Sequence, residues 1–376
     1  MPKQNPKKRN SILRSFFEWR KHEKPSSQRR ASFVLQNREL LLPAGVLVLV
    51  LLLITAVVFS TVDRLAQEGI PLPIDIDGNN ESRHPLTGAV IEEDLEVLPQ
   101  VFGVMVENSA DAWPLVGLDK AFLVIEAPVE SNIPRFIVFS HADSAIEKIG
   151  PVRSTRPYYI DWNDELDAVY AHVGGSPDAL ALIRDVYDTI DLNEFFQGEY
   201  FYRQNGTRYA PHNTYTNTKL LTTALNELTL DAPEYGTWMF GDGVSKGNTS
   251  VTIDWMDGVT YDVDWKYDAT TNRYTRFQGL SVMKMEDGAT IQADNVVVMA
   301  TEMRVLDQEG RKSLETVGEG DAYMIQNGEA FFGRWKKETR TDRLRFYTHD
   351  GHEITMNAGV TWIEVIEDLA QLEVYE

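Results

Sequence analysis

The sequence predicts an α+β fold, with a mixed α/β domain followed by an antiparallel β-rich domain, behind a single transmembrane helix. Three observations favour this: one long apolar run near the N-terminus, a middle region of alternating strand-like and helix-like segments, and a C-terminal region of short aromatic and β-branched segments. The chain has 376 residues, of which 43% are hydrophobic, so it can bury the cores of two ordinary domains.

The apolar run covers residues 40–62 and reads "LLLPAGVLVLVLLLITAVVFSTV", without a charged side chain. At about 1.5 Å per residue, a helix of this length crosses the roughly 30 Å of bilayer hydrocarbon. The run is longer than the apolar core of a cleaved signal peptide, which has about 7–15 residues. We therefore predict an uncleaved, single-pass membrane anchor.

A basic tail precedes the anchor, although the whole chain has a formal net charge of −21. Residues 1–39 contain 11 Lys and Arg against three Asp and Glu. Because basic residues flank membrane helices on the cytoplasmic side, the tail is predicted inside and everything after residue 62 outside, at the cytoplasmic membrane. The exported part is so acidic that phosphates would repel it, and no nucleic-acid partner is expected.

The chain contains no cysteine. Disulfides, Cys-ligated zinc, a thiol nucleophile and a lipid-modified cysteine are therefore excluded. Residues 63–98 mix Pro, Gly, Asn and acidic residues with little periodicity, which is typical of an extracytoplasmic linker.

The α/β domain is predicted over residues 99–230. Its strands are "VFGVMVEN", "FLVIEAPVE" and "RFIVFS", of which the last two should be antiparallel neighbours. A further strand, "DAVYAHV", leads through two glycines into a helix with Ser176 as N-cap and Pro177 at its first position. Another helix begins at Pro157.

The β-rich domain is predicted over residues 231–376. Short aromatic segments there are separated by the turn pairs Asp287-Gly288, Asn327-Gly328 and Asp350-Gly351. Such dipeptides between alternating segments are strong hairpin signals, so the strands should be antiparallel.

Charged and polar residues interrupt the apolar strands of the α/β domain. An unpaired buried charge is costly, so these groups must pair with one another or line a wet cleft. Strand ends favour the cleft, because an open α/β sheet receives its ligand there. The residues concerned are Glu107, Glu126, Glu130, Arg135 and His172, with Glu130 and Arg135 expected to face each other across a turn.

Two arginines in "IGPVRSTRPYY", Arg153 and Arg156, precede a helix in this region. Together with the free amides of the helix that Ser176 opens, they could hold a carboxylate or a phosphate. The alternative is a structural network in which both arginines pair with Glu126 and Glu130.

A loop fragment, "YAPHNTYTNT", adds His212 and Asn213 to the candidate ligand-binding residues. Two histidines and a carboxylate could bind a metal, but the spacing of His172 and His212 matches no metal motif, and no metal or other cofactor is predicted. "GGSPD" is not the nucleophile elbow of serine hydrolases, and "SKGNTS" and "VGEGDAY" are not phosphate-binding loops.

These residues favour a membrane-anchored envelope protein that binds an anionic cell-wall component or a protein partner. Arg153, Arg156, His172, Ser176, His212 and Asn213 would surround the ligand, with Glu107, Glu126, Glu130 and Arg135 behind them. Whether the protein is an enzyme stays open. A cell-wall polymer hydrolase is one alternative, with Glu126 or Glu130 as general acid/base and His172 or His212 assisting. A scaffold that docks envelope proteins through its β-rich domain is another.

The chain resembles the YerB-like family of bacterial envelope lipoproteins over almost all of residues 99–368. The resemblance rests on "VMVENSADAWPLVGLDKAFLVIEAPVESNIPRFIVF", "IGPVRSTRPYYIDWNDELDAVYAHVGGSPDAL", "APHNTYTNT", "WKYDATTNRYTR", "GRWKKE" and "NAGVTWIEV". It implies an α/β domain and a β-rich domain at the outer face of the cytoplasmic membrane, without an assigned activity. Two departures are visible: the lipidated cysteine of many members is absent, and "SVMKMEDG" replaces a Pro-His-x-Asp-like stretch.

Overall fold

A computed structural model describes residues 81–206, 208–256 and 258–376. The predicted basic tail (1–39), the predicted transmembrane helix (40–62) and the first part of the predicted linker lie outside these residues. Among the helices of the described ranges, none combines the length and the apolar character needed to cross a bilayer.

One ten-stranded sheet organises the described chain. In spatial order its strands are β19 (Arg345–Thr348), β18 (Glu329–Lys337), β17 (Gly318–Gln326), β14 (Asn295–Ala300), β21 (Thr361–Ile366), β2 (Leu123–Pro128), β3 (Pro134–His141), β1 (Val101–Glu107), β4 (Val169–His172) and β5 (Asp191–Asn193). Strands of both predicted domains therefore share this sheet.

A smaller sheet and three strand pairs complete the β structure. The smaller sheet contains β12 (Ser281–Val282), β11 (Arg273–Gln278), β10 (Val263–Asp268), β9 (Ser250–Ile253) and β22 (Leu372–Tyr375), with β13 (Gln292–Ala293) also pairing with β11. The pairs are β15 (Met303–Val305) with β16 (Lys312–Leu314), β8 (Phe240–Gly241) with β20 (Met356–Asn357), and β6 (Tyr202–Arg203) with β7 (Thr214–Tyr215).

The helices are few and short. The α-helices are α1 (Pro157–Asp164), α2 (Pro177–Asp185) and α3 (Thr218–Glu227), and the 3₁₀ helices are Ala110–Ala112, Leu118–Lys120, Glu130–Asn132, Gly198–Tyr200 and Leu369–Gln371. As predicted, prolines occupy the first turns of α1 and α2, and the Ser176 side chain caps α2 by accepting from the amide of Ala179.

The hairpin predictions agree with the observed strand pairing. Strands β2 and β3 are antiparallel neighbours, with Leu123 opposite Phe139. The pair Asn327-Gly328 turns β17 into β18, and both residues have positive φ angles, 59° and 74°, as a type I′ turn requires.

The prediction of an antiparallel second domain is wrong for β21 and for the short pair of β8 and β20, which run parallel. Strand β21 runs parallel to β14 on one side and parallel to β2 on the other. All six of its residues are buried, which is typical of a central parallel strand covered on both faces. Through β21, the C-terminal half of the chain extends the sheet of the N-terminal half.

Each face of the main sheet is covered by a different layer. The smaller sheet covers one face, where Trp265 and Trp362 have ring centroids 5.3 Å apart and Phe136 packs edge-on to Trp362. Helix α1 covers the other face with Tyr158, Tyr159 and Trp162, all buried. Residues on the two faces alternate along each strand.

A polar network is sealed between the two sheets. Arg276 of β11 contacts Glu126 of β2 at 2.6 Å and lies 3.9 Å from Glu364 of β21, and all three side chains are fully buried. The Trp265 indole donates to Glu364 at 2.8 Å. Burial, and then the charge of Glu126, raises the pKa of Glu364 well above its ordinary value. Two carboxyl groups thus share one guanidinium.

The N-terminal segment of the described chain, residues 81–91, is fastened to the C-terminal half. Arg83 binds Asp242 at 3.0 Å, and the carbonyl of Thr87 accepts the amide of Gly359 at 2.8 Å. The ring of His84 packs against that of His141 at 4.7 Å between centroids. This part of the predicted linker therefore packs against the rest of the described chain.

We expect the Glu364→Gln variant to lose a pH dependence that the wild type shows. A carboxyl group whose pKa rises on folding stabilises the folded state most below its ordinary value of 4.5, and that stabilisation is lost as pH rises through the raised value. Glutamine does not titrate. The variant's free energy of unfolding should therefore fall less than that of the wild type as pH rises above 4.5, by at most about 1.4 kcal/mol per pH unit, as measured by urea unfolding.

The matched control is Glu367→Gln, because Glu367 follows the same strand but is exposed. It should keep the wild-type pH profile. Equal profiles for Glu364→Gln and the wild type would contradict the assignment.

Candidate functional site

The candidate site lies at the carboxyl end of β1. Strand β1 pairs antiparallel with β3 on one side and parallel with β4 on the other, so the carboxyl ends of β1 and β4 meet at one edge of the sheet. The segment containing Arg153 enters between them, since its amide donates to Met105 and its carbonyl accepts from Val173. Edges of this kind are where open α/β sheets receive ligands.

Glu107, the last residue of β1, is the centre of the site and is only 2% exposed. One of its oxygens, Oε2, accepts the Ser109 hydroxyl at 2.6 Å and meets His212 Nδ1 at 2.8 Å. Arg153 Nε lies 3.5 Å from the same oxygen. The structure therefore brings together three residues predicted from the sequence for one site: Glu107, Arg153 and His212.

The carboxylate fixes the orientation of the His212 ring. Because Glu107 Oε2 accepts, Nδ1 supplies the hydrogen and Nε2 is left as the basic nitrogen. Nε2 has no hydrogen-bond partner among the described residues, and the side chain is partly exposed. The Ser109 hydroxyl approaches Nδ1 and not Nε2, so this trio does not have the geometry of a serine-hydrolase triad.

Arg156 and Glu130 form a bidentate pair beside this cluster, with N–O distances of 2.7 and 2.6 Å. Burial alone would raise the pKa of Glu130, but the hydrogen bonds and charge of Arg156 lower it. Glu130 and Arg135, expected to face each other across the turn, form no ion pair with each other, and the partner of Glu130 is Arg156. The structural alternative considered from the sequence paired both loop arginines with Glu126 and Glu130. Of these pairs, the one between Arg156 and Glu130 is present.

Arg135 lies directly opposite Glu107 in the β1–β3 register. It is 9% exposed, and its Nη1 donates to the carbonyl of Ser154 at 2.6 Å. Among the described residues, no carboxylate lies within ion-pair distance of it. Burial, followed by the positive charge of Arg156, lowers the pKa of the Arg135 guanidinium to about 10. Arg135, Arg153 and Arg156 form what we call the arginine cluster.

His172 forms no hydrogen bond or ion pair with Glu107 or His212. It is fully buried, with Nδ1 2.8 Å from the carbonyl of Gly174 and Nε2 2.7 Å from Asp191. Both ring nitrogens are therefore occupied by partners within the protein. Ser176 caps the neighbouring helix α2, and its amide donates to the carbonyl of Thr155, which immediately precedes Arg156.

Two of the proposed residues face elsewhere. The Asn213 side chain accepts from Arg203 and donates to Asn205, so it fixes the loop between β6 and β7. Glu126 lies on the opposite face of the main sheet, in the sealed network with Arg276. The pairing of Arg153 with Glu126 that the structural alternative required is replaced by the contact of Arg153 with Glu107.

Ser109 and Asp191, which contact Glu107 and His172, were not among the residues predicted from the sequence. Ser109 lies two residues after Glu107, the polar end of β1, and this closeness in the sequence could have predicted a contact between them. Asp191 lies on the edge strand β5, and only the parallel pairing with β4 brings it to His172. Within the described ranges, no group of three or more His, Asp or Glu side chains is placed to hold a metal ion.

Comparison with known proteins agrees with the resemblance seen in the sequence. A curated Bacillus subtilis (strain 168) protein named "Putative lipoprotein YerB" is 28% identical over 303 residues, which cover 78% of this chain and 88% of that protein. The crystal structure of YerB protein from Bacillus subtilis matches with a TM-score of 0.70 and 27% identity, over 78% of this chain and 99% of that one.

Two family models match consecutive parts of the chain. Residues 86–231 match the N-terminal domain, and residues 251–363 the C-terminal domain, of "Protein of unknown function (DUF3048)". Together they cover more than half of the chain, with a strand-rich, helix-poor fold shared with YerB. The chain therefore belongs to the DUF3048 family.

Proposed function

We propose that this protein is a membrane-anchored, extracytoplasmic envelope protein that binds an anionic cell-wall component through the arginine cluster. The name of the Bacillus subtilis relative, "Putative lipoprotein YerB", supports an anchored envelope location. This chain has no cysteine to carry a lipid, and the apolar run at residues 40–62 would serve as the anchor instead. The basic tail supports an inside N-terminus.

The observation that carries the binding proposal is the uncompensated charge of Arg135. The arginine cluster holds three guanidinium groups against two carboxylates, Glu107 and Glu130. In a purely structural network each buried charge would have a partner, because an unpaired buried charge is costly. A guest anion would supply the missing charge.

The chemistry of the cluster suits a phosphate or carboxylate. Guanidinium groups present forked donors that match the oxygens of these anions. The rest of the exported chain is strongly acidic, so the cluster is a local exception in a repulsive surface. Such a surface would admit a small anionic group and disfavour a long polyanion such as nucleic acid.

We expect Arg153→Ala and Arg135→Gln each to weaken binding to purified anionic cell-wall fragments at least about tenfold, because a hydrogen bond to a charged group contributes about 1.5–3 kcal/mol. Co-sedimentation of the full-length chain in detergent with wall fragments measures this. Raising the salt concentration should weaken the wild-type interaction as well.

The matched control is Arg184→Ala, since Arg184 lies on α2 but is exposed and pairs with its neighbour Asp185. It should bind like the wild type. Unchanged affinity of the Arg153→Ala and Arg135→Gln variants would contradict the proposal. Binding to envelope proteins and not to wall fragments would contradict the wall ligand and indicate a protein partner.

A wall-polymer hydrolase is the second candidate, and the Glu107–His212 contact favours it. A histidine oriented by a carboxylate, with its other nitrogen open, is suited to accept a proton from water. Glu126, sealed beneath Arg276, and Glu130, held by Arg156, are less accessible for this role. His172 has both nitrogens occupied.

If the protein turns over peptidoglycan, His212→Gln should reduce the rate at least about a hundredfold, since general-base catalysis contributes about 10²–10⁴-fold. Release of soluble muropeptides by the full-length chain measures the rate. His349→Gln, at an exposed histidine, is the control and should keep wild-type turnover. No turnover by the wild type would leave binding as the function.

A further inference from the structure

Several polar atoms at the end of β1 are buried without a hydrogen-bond partner among the described residues. They include Glu107 Oε1, an acceptor, and Arg153 Nε, a donor that lies 3.5 Å from the other carboxylate oxygen without making a hydrogen bond. The hydroxyl of Thr214 is a third, and the Thr214 carbonyl accepts the amide of Val152, next to Arg153.

These atoms are unusual because buried polar groups are nearly always paired. Each unpaired buried acceptor or donor costs about 1–3 kcal/mol. Glu107 Oε2, in contrast, receives both Ser109 and His212. The two oxygens of one carboxylate therefore differ: Oε2 is used by the protein, and Oε1 needs a donor.

We propose that the ligand of the arginine cluster carries a hydroxyl or ammonium group close to its anionic group. The guanidiniums of the cluster bind the anion, and Glu107 Oε1 accepts from the neighbouring donor. This inference rests on the function proposed above and adds the chemical class of the ligand. A phosphate ester of a polyol and a hydroxy or amino acid both have this arrangement.

Charge supports the same ligand class. Three arginines and two glutamates leave one net positive charge, which a single anionic group neutralises. An anion without a donor would satisfy the arginines but leave Glu107 Oε1 unpaired. A ligand with both groups satisfies both needs, so it should bind more tightly than its donor-free analogue.

The test is calorimetric titration of the full-length chain in detergent with two matched pairs of probes. Glycerol phosphate is compared with propyl phosphate, and lactate with propionate, so that the members of each pair have the same number of carbon atoms and differ in hydroxyl groups. We expect the hydroxyl-bearing member of at least one pair to bind at least about tenfold tighter. The pair that shows the preference identifies a phosphate or a carboxylate source.

Glu107→Gln should reduce this preference to less than about threefold, because a neutral amide makes a weaker hydrogen bond than a carboxylate. Glu130→Gln is the matched control: it removes a charge of the same size from the same cluster but leaves Glu107 Oε1 unchanged, so the preference should persist. Thermal melting verifies that each variant is folded, and the wild-type ratio stands even if Glu107→Gln does not fold.

Equal binding of both members of both pairs, weakened by Arg153→Ala, would overturn the inference and leave the proposed anion binding intact. Failure of every probe and of wall fragments to bind the wild type would overturn both.

Discussion

The hydrogen bonding of β21 to both β14 and β2 is the constraint on which the rest of the structure depends. A strand from the C-terminal end of the chain completes the sheet begun by the N-terminal half, so neither half has a complete sheet alone. The same register places Glu364 beside Glu126, and these two carboxyl groups then require Arg276 from the smaller sheet. The arrangement of the backbone thus determines where charge must be compensated.

The alternation of side chains along the strands separates two kinds of charged group. Glu126 lies opposite Phe136 and faces the smaller sheet, where its charge is sealed. Arg135, one residue earlier on the same strand as Phe136, faces the other way and lies opposite Glu107. Charges that look alike in the sequence therefore have different surroundings: one set is closed within the core and the other lies at the edge where β1 and β4 end.

Much of the local structure could be predicted from the sequence, because its signals are local. The β2–β3 hairpin, the prolines that open α1 and α2, and the Ser176 cap depend on residues near one another in the chain. The parallel placement of β21 could not be predicted, because an apolar run does not specify its partner strand. For the same reason the contacts of His172 with Asp191 and of Arg276 with Glu126 were not foreseen.

The candidate site was predicted in part. Glu107, Arg153 and His212 meet as the clustering of polar residues at strand ends suggested, while His172, Asn213 and Glu126 have partners of their own. Strand alternation could have separated Glu126 from Arg135 once the hairpin register was known. The position of the loop that carries His212 could not be predicted in this way, because it depends on contacts with residues far away in the chain, such as Glu107.

The attachment of residues 81–91 has a mechanical consequence. Tension arriving from the N-terminal side would first load the Arg83–Asp242 pair and the bond between Thr87 and Gly359, and only afterwards β1. Gly359 lies two residues before β21, so such a pull would be shared with the C-terminal half of the sheet. The edge of the sheet that holds Glu107 and Arg153 would therefore not be the first part of the described chain to deform.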